Sequence, residues 1–140
     1  MGISNYDISS TVGTLVSQRL VRKLCKKCAK KRDFNEEEKK IISQISDRYG
    51  VKFNLEGKHT YDAVGCKECN NSGYYERIGI FEILQVDDNI RELIVNGAST
   101  IEIKNQAIKG NYKPLLVDGI NKVLDGITNL NEIDRKLIIY

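Results

Sequence analysis

The sequence has one proline, one histidine and no long apolar run. A bilayer span needs about 18–20 consecutive apolar residues, so this chain is expected not to cross a membrane. The N-terminus, MGISNYDISS, lacks the basic start and apolar stretch of a secretory signal. Export is therefore not expected, and in a reducing compartment cysteines serve as metal ligands more often than as disulfides. His59 has no second histidine to work with and no serine or cysteine arranged around it, and it reads as a surface or loop residue. No G-x-x-x-x-G-K-[ST] loop is present to cradle phosphates, and neither G-x-S-x-G nor H-E-x-x-H occurs. The acidic pairs Glu36 and Glu38, and Asp87 and Asp88, stand at helix starts, where capping and the helix dipole account for them. No catalytic residue is assigned.

What is there suits a globular chain. At 140 residues, 41% hydrophobic and 29% charged, it amounts to about one domain. Its charge is uneven. Residues 1 to 32 hold eight basic side chains (Arg19, Arg22, Lys23, Lys26, Lys27, Lys30, Lys31, Arg32) against the single acid Asp7, whereas the remainder holds fourteen basic and eighteen acidic ones. Such a segment is either a solvated face or a phosphate-binding surface.

Periodicity outlines the elements. Ile8, Val12, Leu15, Val16, Leu20 and Leu24 recur at helical spacing and predict one amphipathic helix leading into Cys25. Asn35 and Glu38 form a capping-box pattern for a second helix bearing Ile41, Ile42, Ile45 and Tyr49, closed by Gly50. Residues 49 to 65 alternate weakly and suggest short strands or irregular loop. The stretch from Gly73 to Val86, aromatic and β-branched, predicts a strand or hairpin. Four short helices follow. Asp87 or Asp88 caps the first, which ends at Gly97, and Ser99 with Glu102 caps the next, which ends at Gly110. Pro114 opens the third, with Val117, Ile120, Val123 and Leu124 inward, and Thr128 starts the last through Leu130, Ile133 and Leu137.

All the cysteines fall into one pattern, C-x2-C-x37-C-x2-C. Zinc takes four ligands in a tetrahedron, and each C-x2-C knuckle places two sulfurs on one tight turn. Cys25, Cys28, Cys66 and Cys69 would complete the shell and leave no open position, which is the arrangement of a structural site. Lys26, Lys27, Lys30 and Lys67 would offset its formal negative charge, and Gly73 permits the turn past the second knuckle. A pair of redox dithiols and a pair of structural disulfides are the competing readings. A redox motif belongs between a strand and a helix of a βαβ unit, which the sequence does not suggest.

The landmarks also stand in a distinctive order. Ser17-Gln18-Arg19-Leu20-Val21-Arg22-Lys23-Leu24-Cys25 leads into the first knuckle. Val64-Gly65-Cys66-Lys67-Glu68-Cys69-Asn70 forms the second, followed by Gly73-Tyr74 and by Arg77-Ile78-Gly79-Ile80-Phe81-Glu82-Ile83-Leu84. Then come Ile90-Arg91-Glu92-Leu93-Ile94 with Gly97-Ala98-Ser99, and Asp118-Gly119-Ile120 with Lys122-Val123-Leu124-Asp125-Gly126-Ile127-Thr128. From about Ser9 to Arg135 this order resembles the C-terminal end of the type II secretion and type IV pilus assembly ATPases.

The resemblance implies a cytoplasmic, hexameric, RecA-like motor that uses ATP with magnesium to drive pilin assembly, or pseudopilin assembly in secretion systems. Its implied partners are neighbouring subunits of the hexamer and an inner-membrane platform protein, which would hold it peripherally at that membrane. The family's Walker loop, acidic boxes and histidine box lie upstream of the motifs matched here, so the chain reads as a C-terminal piece with no catalytic residue to carry over. The family's zinc ligands map onto Cys25, Cys28, Cys66 and Cys69. The segment between the knuckles is longer and richer in lysine than in many members, so its contacts are not transferable.

These readings set the expectations. The fold class is α+β, mostly helical: a zinc-clipped helical excursion, a short β element and a C-terminal cluster of short helices. Residues 1–24 are the end of a nucleotide-binding domain carrying the leading helix. Residues 25–72 are a tetracysteine zinc module, and 73–140 a β element with a helical subdomain. The expected function is a structural zinc-bearing part of a pilus-assembly motor. The alternative is a stand-alone zinc module that binds nucleic acid through residues 19–32, with Tyr74, Tyr75 or Phe81 for stacking. Those aromatics read more readily as core, so nucleic acid is not the expected partner.

Overall fold

A computed structural model describes residues 2 to 110 and 112 to 137. Its first elements correct the sequence reading. In place of one helix over Ile8–Leu24 there is a short helix, α1 (Asn5–Thr11), and then a strand, β1 (Thr14–Leu24). Val12, Val16, Leu20 and Leu24 lie four apart, a spacing that shares one face in a helix and in a strand alike. The pattern therefore does not decide between them; the partner does. Strand β4 (Tyr74–Gln85) has a backbone that needs pairing, and β1 supplies it antiparallel, from Thr14 opposite Gln85 to Arg22 opposite Arg77.

Between these strands runs the excursion. It comprises β2 (Ala29–Arg32), helix α2 (Glu36–Tyr49), β3 (Thr60–Ala63) and a 3-10 turn at Lys67–Cys69. Asn35 and Glu38 close the expected capping box on α2, and Gly50 ends it in a left-handed conformation. β2 and β3 form a second antiparallel pair, Ala29 opposite Ala63 through Arg32 opposite Thr60. The four expected C-terminal helices are α3 (Asp88–Val95), α4 (Thr100–Lys109), α5 (Leu115–Leu124) and α6 (Leu130–Leu137). Pro114 immediately precedes α5. The start of α6 is held by Asn129 rather than Thr128: the Asn129 Oδ1 accepts from the Glu132 N–H at 3.1 Å, while the Thr128 hydroxyl donates to the Arg22 carbonyl at 2.9 Å. The class is α+β, as expected. Among the described residues no helix is long and apolar enough to cross a membrane.

The main core gathers Val21 and Ile80 from the β1–β4 pair, Phe34, Ile42 and Ile45 from the excursion, and Ile120, Val123, Leu124, Leu130 and Ile133 from the last two helices. α5 and α6 approach so closely at Gly119 that a Cβ there would lie 3.1 Å from the Ile133 side chain. A smaller core of Val86, Ile90 and Ala107 lies under α3 and α4. The excursion is thus not an independent loop, since α2 fills part of the same interior as α5 and α6. On the opposite face of the β1–β4 pair, Val16, Leu20 and Phe81 are exposed.

Beside the knuckles the register of β1 and β4 shifts between Arg22 and Leu24, and Glu76 is held at φ 65°. A left-handed conformation costs an L-residue about 1–2 kcal/mol, and most where the side chain is β-branched. The ion pair from Lys23 Nζ to Glu76 Oε2, at 2.8 Å, holds the side chain but is exposed. We expect melting temperature to follow the order Glu76→Gly, wild type, Glu76→Val. Neighbours in that series should differ by a few degrees in calorimetry, and a Glu76→Val variant as stable as wild type would contradict the strain.

Candidate metal centre

The first knuckle begins where β1 ends. The Leu24 N–H donates to the Ile127 carbonyl at 2.8 Å and the Cys25 N–H to the Gly73 carbonyl at 3.0 Å, so both flanks of the site are pinned before the turn starts. The Cys28 and Ala29 N–H groups then fold back on the Cys25 carbonyl at 3.2 and 2.9 Å. In the second knuckle the Cys69 and Asn71 N–H groups close on the Cys66 carbonyl at 3.2 and 2.8 Å. Two glycines make this turn possible. A Cβ at Gly65 would stand 2.7 Å from the Asn71 carbonyl oxygen, and one at Gly73 would stand 2.6 Å from Ala63; both have φ in the left-handed region. The β2–β3 pair sets Ala29, next to Cys28, opposite Ala63, a few residues before Cys66, and so brings the two turns together.

All four sulfurs lie within 4.8 Å of one another. The Cys25–Cys66, Cys28–Cys69 and Cys66–Cys69 separations are 3.9, 3.8 and 3.7 Å. A tetrahedron built on a Zn–S bond of about 2.3 Å has edges of about 3.8 Å, so the donor set fits a tetrathiolate ion in number, softness and spacing. The thiols are unpaired, and Cys25 and Cys69 are buried.

The sulfurs differ electrostatically. Burial pushes the Cys28 thiol up to about 12, reinforced by the neighbouring sulfurs. Burial also opposes ionisation of Cys69, but the N–H groups of Cys66 and Gly73, at 3.2 and 3.3 Å, outweigh it and hold that thiol at about 6. The Cys69 sulfur already accepts backbone donors, which favours its ionised form, and a cation would displace the protons on the other sulfurs. Of the lysines expected to balance the charge, Lys27 reaches Glu68 across the two knuckles at 3.6 Å, and Lys26, Lys30 and Lys67 are exposed. His59 lies in the loop before β3, with its Nδ1 2.9 Å from Asp33 Oδ1 and outside the cysteine cluster.

Sequence reasoning missed what supports the site from behind. Glu132 is fully buried and accepts from the Arg22 backbone N–H at 2.9 Å, from the Arg22 guanidinium at 2.9 and 2.7 Å, and from Arg135 at 2.8 and 2.7 Å. The Arg22 guanidinium also lies 4.0 Å from the centre of the Tyr74 ring, whose hydroxyl donates to Asn129 at 3.0 Å. This polar knot joins α6 to the strand ends from which both knuckles hang. Nothing in the spacing of Leu130, Ile133 and Leu137 marks Glu132 as inward.

The same geometry bears on the basic segment. Arg22, Lys23, Lys27 and Arg32 are each in an ion pair with a carboxylate. Tyr74 is half-buried, but Tyr75 and Phe81 are 58% and 39% exposed, against the expectation that all three serve as core.

The sequence pattern of the type II/IV secretion system proteins matches residues 1–135. The chain belongs to that family. Among its relatives it is 36% identical to the type IV pilus assembly ATPase PilB of Myxococcus xanthus, over 95% of this chain and 23% of that protein. It is 38% identical to the PilB of Thermus thermophilus, over 99% of this chain and 15% of that one. The type II secretion system ATPase E of Vibrio cholerae is 36% identical over 96% of this chain and 25% of its own length. The chain thus spans a quarter or less of these family members.

Proposed function

We propose that the chain is the zinc-stabilised C-terminal part of a secretion-family motor ATPase that powers type IV pilus assembly. The observation that carries the metal assignment is the set of sulfur separations near 3.8 Å, which suits a tetrahedral thiolate cage. Cys25, Cys28, Cys66 and Cys69 would all be ligands, leaving no position for water or substrate, so the ion's contribution is structural. The relatives' names support the ATPase and the pilus or secretion setting. On this reading residues 1–24 close the nucleotide-binding domain, 25–72 form the tetracysteine module and 73–140 the helical subdomain. ATP and magnesium bind elsewhere in a hexameric protein. That protein works in the cytoplasm against an inner-membrane platform protein and its own neighbouring subunits.

The physical role is restraint. The knuckles clip the end of β1 to the start of β4, while Glu132 ties the same strand end to α6. Displacement of the sheet is then passed to the C-terminal helices through a stiff joint. The nucleic-acid reading is weaker, because half of its basic residues are already neutralised within the chain.

Metal content of the reduced, purified chain tests the assignment. About one zinc per chain is expected, with far-UV circular dichroism losing helix and strand signal on chelation. A metal-free chain with the same spectrum before and after chelator would move the redox reading to the front.

A further inference from the structure

The turn between α5 and α6, residues 125–129, touches the strands behind both knuckles. The Ile127 carbonyl accepts from the Leu24 N–H at 2.8 Å and the Thr128 hydroxyl donates to the Arg22 carbonyl at 2.9 Å, which fixes β1 just before Cys25. Asn129, 5% exposed, serves the other knuckle. Its Oδ1 is taken by the Glu132 N–H and the Tyr74 hydroxyl, at 3.1 and 3.0 Å, so its amide nitrogen turns to the Tyr61 carbonyl, 3.3 Å away. Tyr61 lies on β3, opposite Lys31, and β3 leads into Cys66. The Tyr61 ring packs on the same turn: a Cβ at Gly126 would stand 2.8 Å from it.

We propose that Asn129 is a positioning residue for the cysteine cage: its amide holds β3, and with it Cys66 and Cys69, in place beside the first knuckle. The proposal rests on the zinc assignment and says where part of the metal affinity comes from. A lone two-stranded pair is marginal in water, so without the ion β2 and β3 come away from the turn and the Asn129–Tyr61 bond is lost. The bond and the cage then form together, and its free energy appears in metal binding rather than in the stability of the helical interior. The dependence is reciprocal. An ion bound more tightly because Asn129 holds β3 must itself hold β3 against residues 125–129, by the same factor. The cage and the α5–α6 turn thus report on each other through a contact between residues 68 apart in sequence.

Asn129→Asp keeps an acceptor for the Glu132 N–H and the Tyr74 hydroxyl and removes the donor to Tyr61. Asn129→Ser keeps a helix cap and is too short to reach β3. The test compares both with wild type as the intact chain, by competition for zinc against a chromophoric chelator and by urea unfolding of the metal-free protein. Zinc affinity is expected to fall about tenfold in each, the scale of one hydrogen bond or of an outer-shell partner, with the metal-free unfolding curve nearly unmoved. Variants that hold zinc as tightly as wild type overturn the proposal. So does a loss of affinity matched by an equal loss of metal-free stability, which would make Asn129 a helix cap only. A wild-type chain that takes up no zinc overturns the metal assignment and this proposal with it, so the wild-type titration alone tells the two failures apart.

Discussion

Replacing Cys69 with serine is expected to abolish tight metal binding and loosen residues 26 to 72 while much of the helical interior persists. Cys69 is buried, and its sulfur accepts two backbone N–H groups that orient it toward the other three. Serine offers a harder, weaker donor, and three thiolates hold zinc far less tightly than four. Sites of this kind supply on the order of 10 kcal/mol of apparent folding free energy. Losing most of that exceeds anything β2 and β3 contribute, since a lone two-stranded pair is marginal in water. Hydrogen exchange should show β2, β3 and the second knuckle opening by several orders of magnitude. Val21, Ile120 and Ile133, fully buried in the main core, should retain much of their protection. Wild-type metal stoichiometry and exchange in the variant would remove the basis for a four-sulfur site.

The second large effect is expected at Glu132. Burial alone would raise its carboxyl, but the Arg135 and Arg22 guanidiniums and the Arg22 N–H outweigh that and hold it at about 2. Glu132→Gln keeps the shape and removes the charge, leaving two guanidiniums facing a neutral amide. Breaking a buried pair costs about 3–5 kcal/mol. Arg22 and Arg135 are a third to a half exposed, which argues for the lower end, about 3 kcal/mol. The pH dependence has a definite sign. An unfolded glutamate titrates near 4.5 and this one near 2, so its contribution is intact above that range and drains away as pH falls from 4.5 toward 2. Urea denaturation across that window should show wild type losing stability more steeply than Glu132→Gln. Parallel curves would mean that Glu132 titrates alike in the folded and unfolded chain, and would overturn the lowered carboxyl.

How far the sequence could be read depended on whether each feature was local. Capping boxes at Asn35 and Ser99, and the left-handed glycines at Gly50, Gly97 and Gly126, are written in adjacent residues, and those helices stand where expected. The cysteine quartet was legible because two short motifs carry their own geometry, although they meet only in space. β1 was misread because Val16, Leu20 and Leu24 satisfy both periods, and the tie is broken by β4, some fifty residues away. Glu132 and Tyr75 were missed for a related reason. A buried carboxylate and an exposed aromatic each depend on what packs beside them, and neighbouring sequence does not record that.

The position of the knuckles also bears on how the chain finds its fold. To pair Leu24 with Tyr74, an open chain must close a loop running from one to the other through the entire excursion. With the sulfurs gathered on one ion, only the few residues from Cys69 to Tyr74 would remain to be ordered. Loop-closure entropy grows as the logarithm of length, so the difference is worth about 2 kcal/mol. On the zinc assignment, a slow search for a distant strand would become something close to a hairpin closing on itself. An ion that looks like a passive clip in the finished structure would then act earlier, setting the order in which β1, β4 and α6 come together.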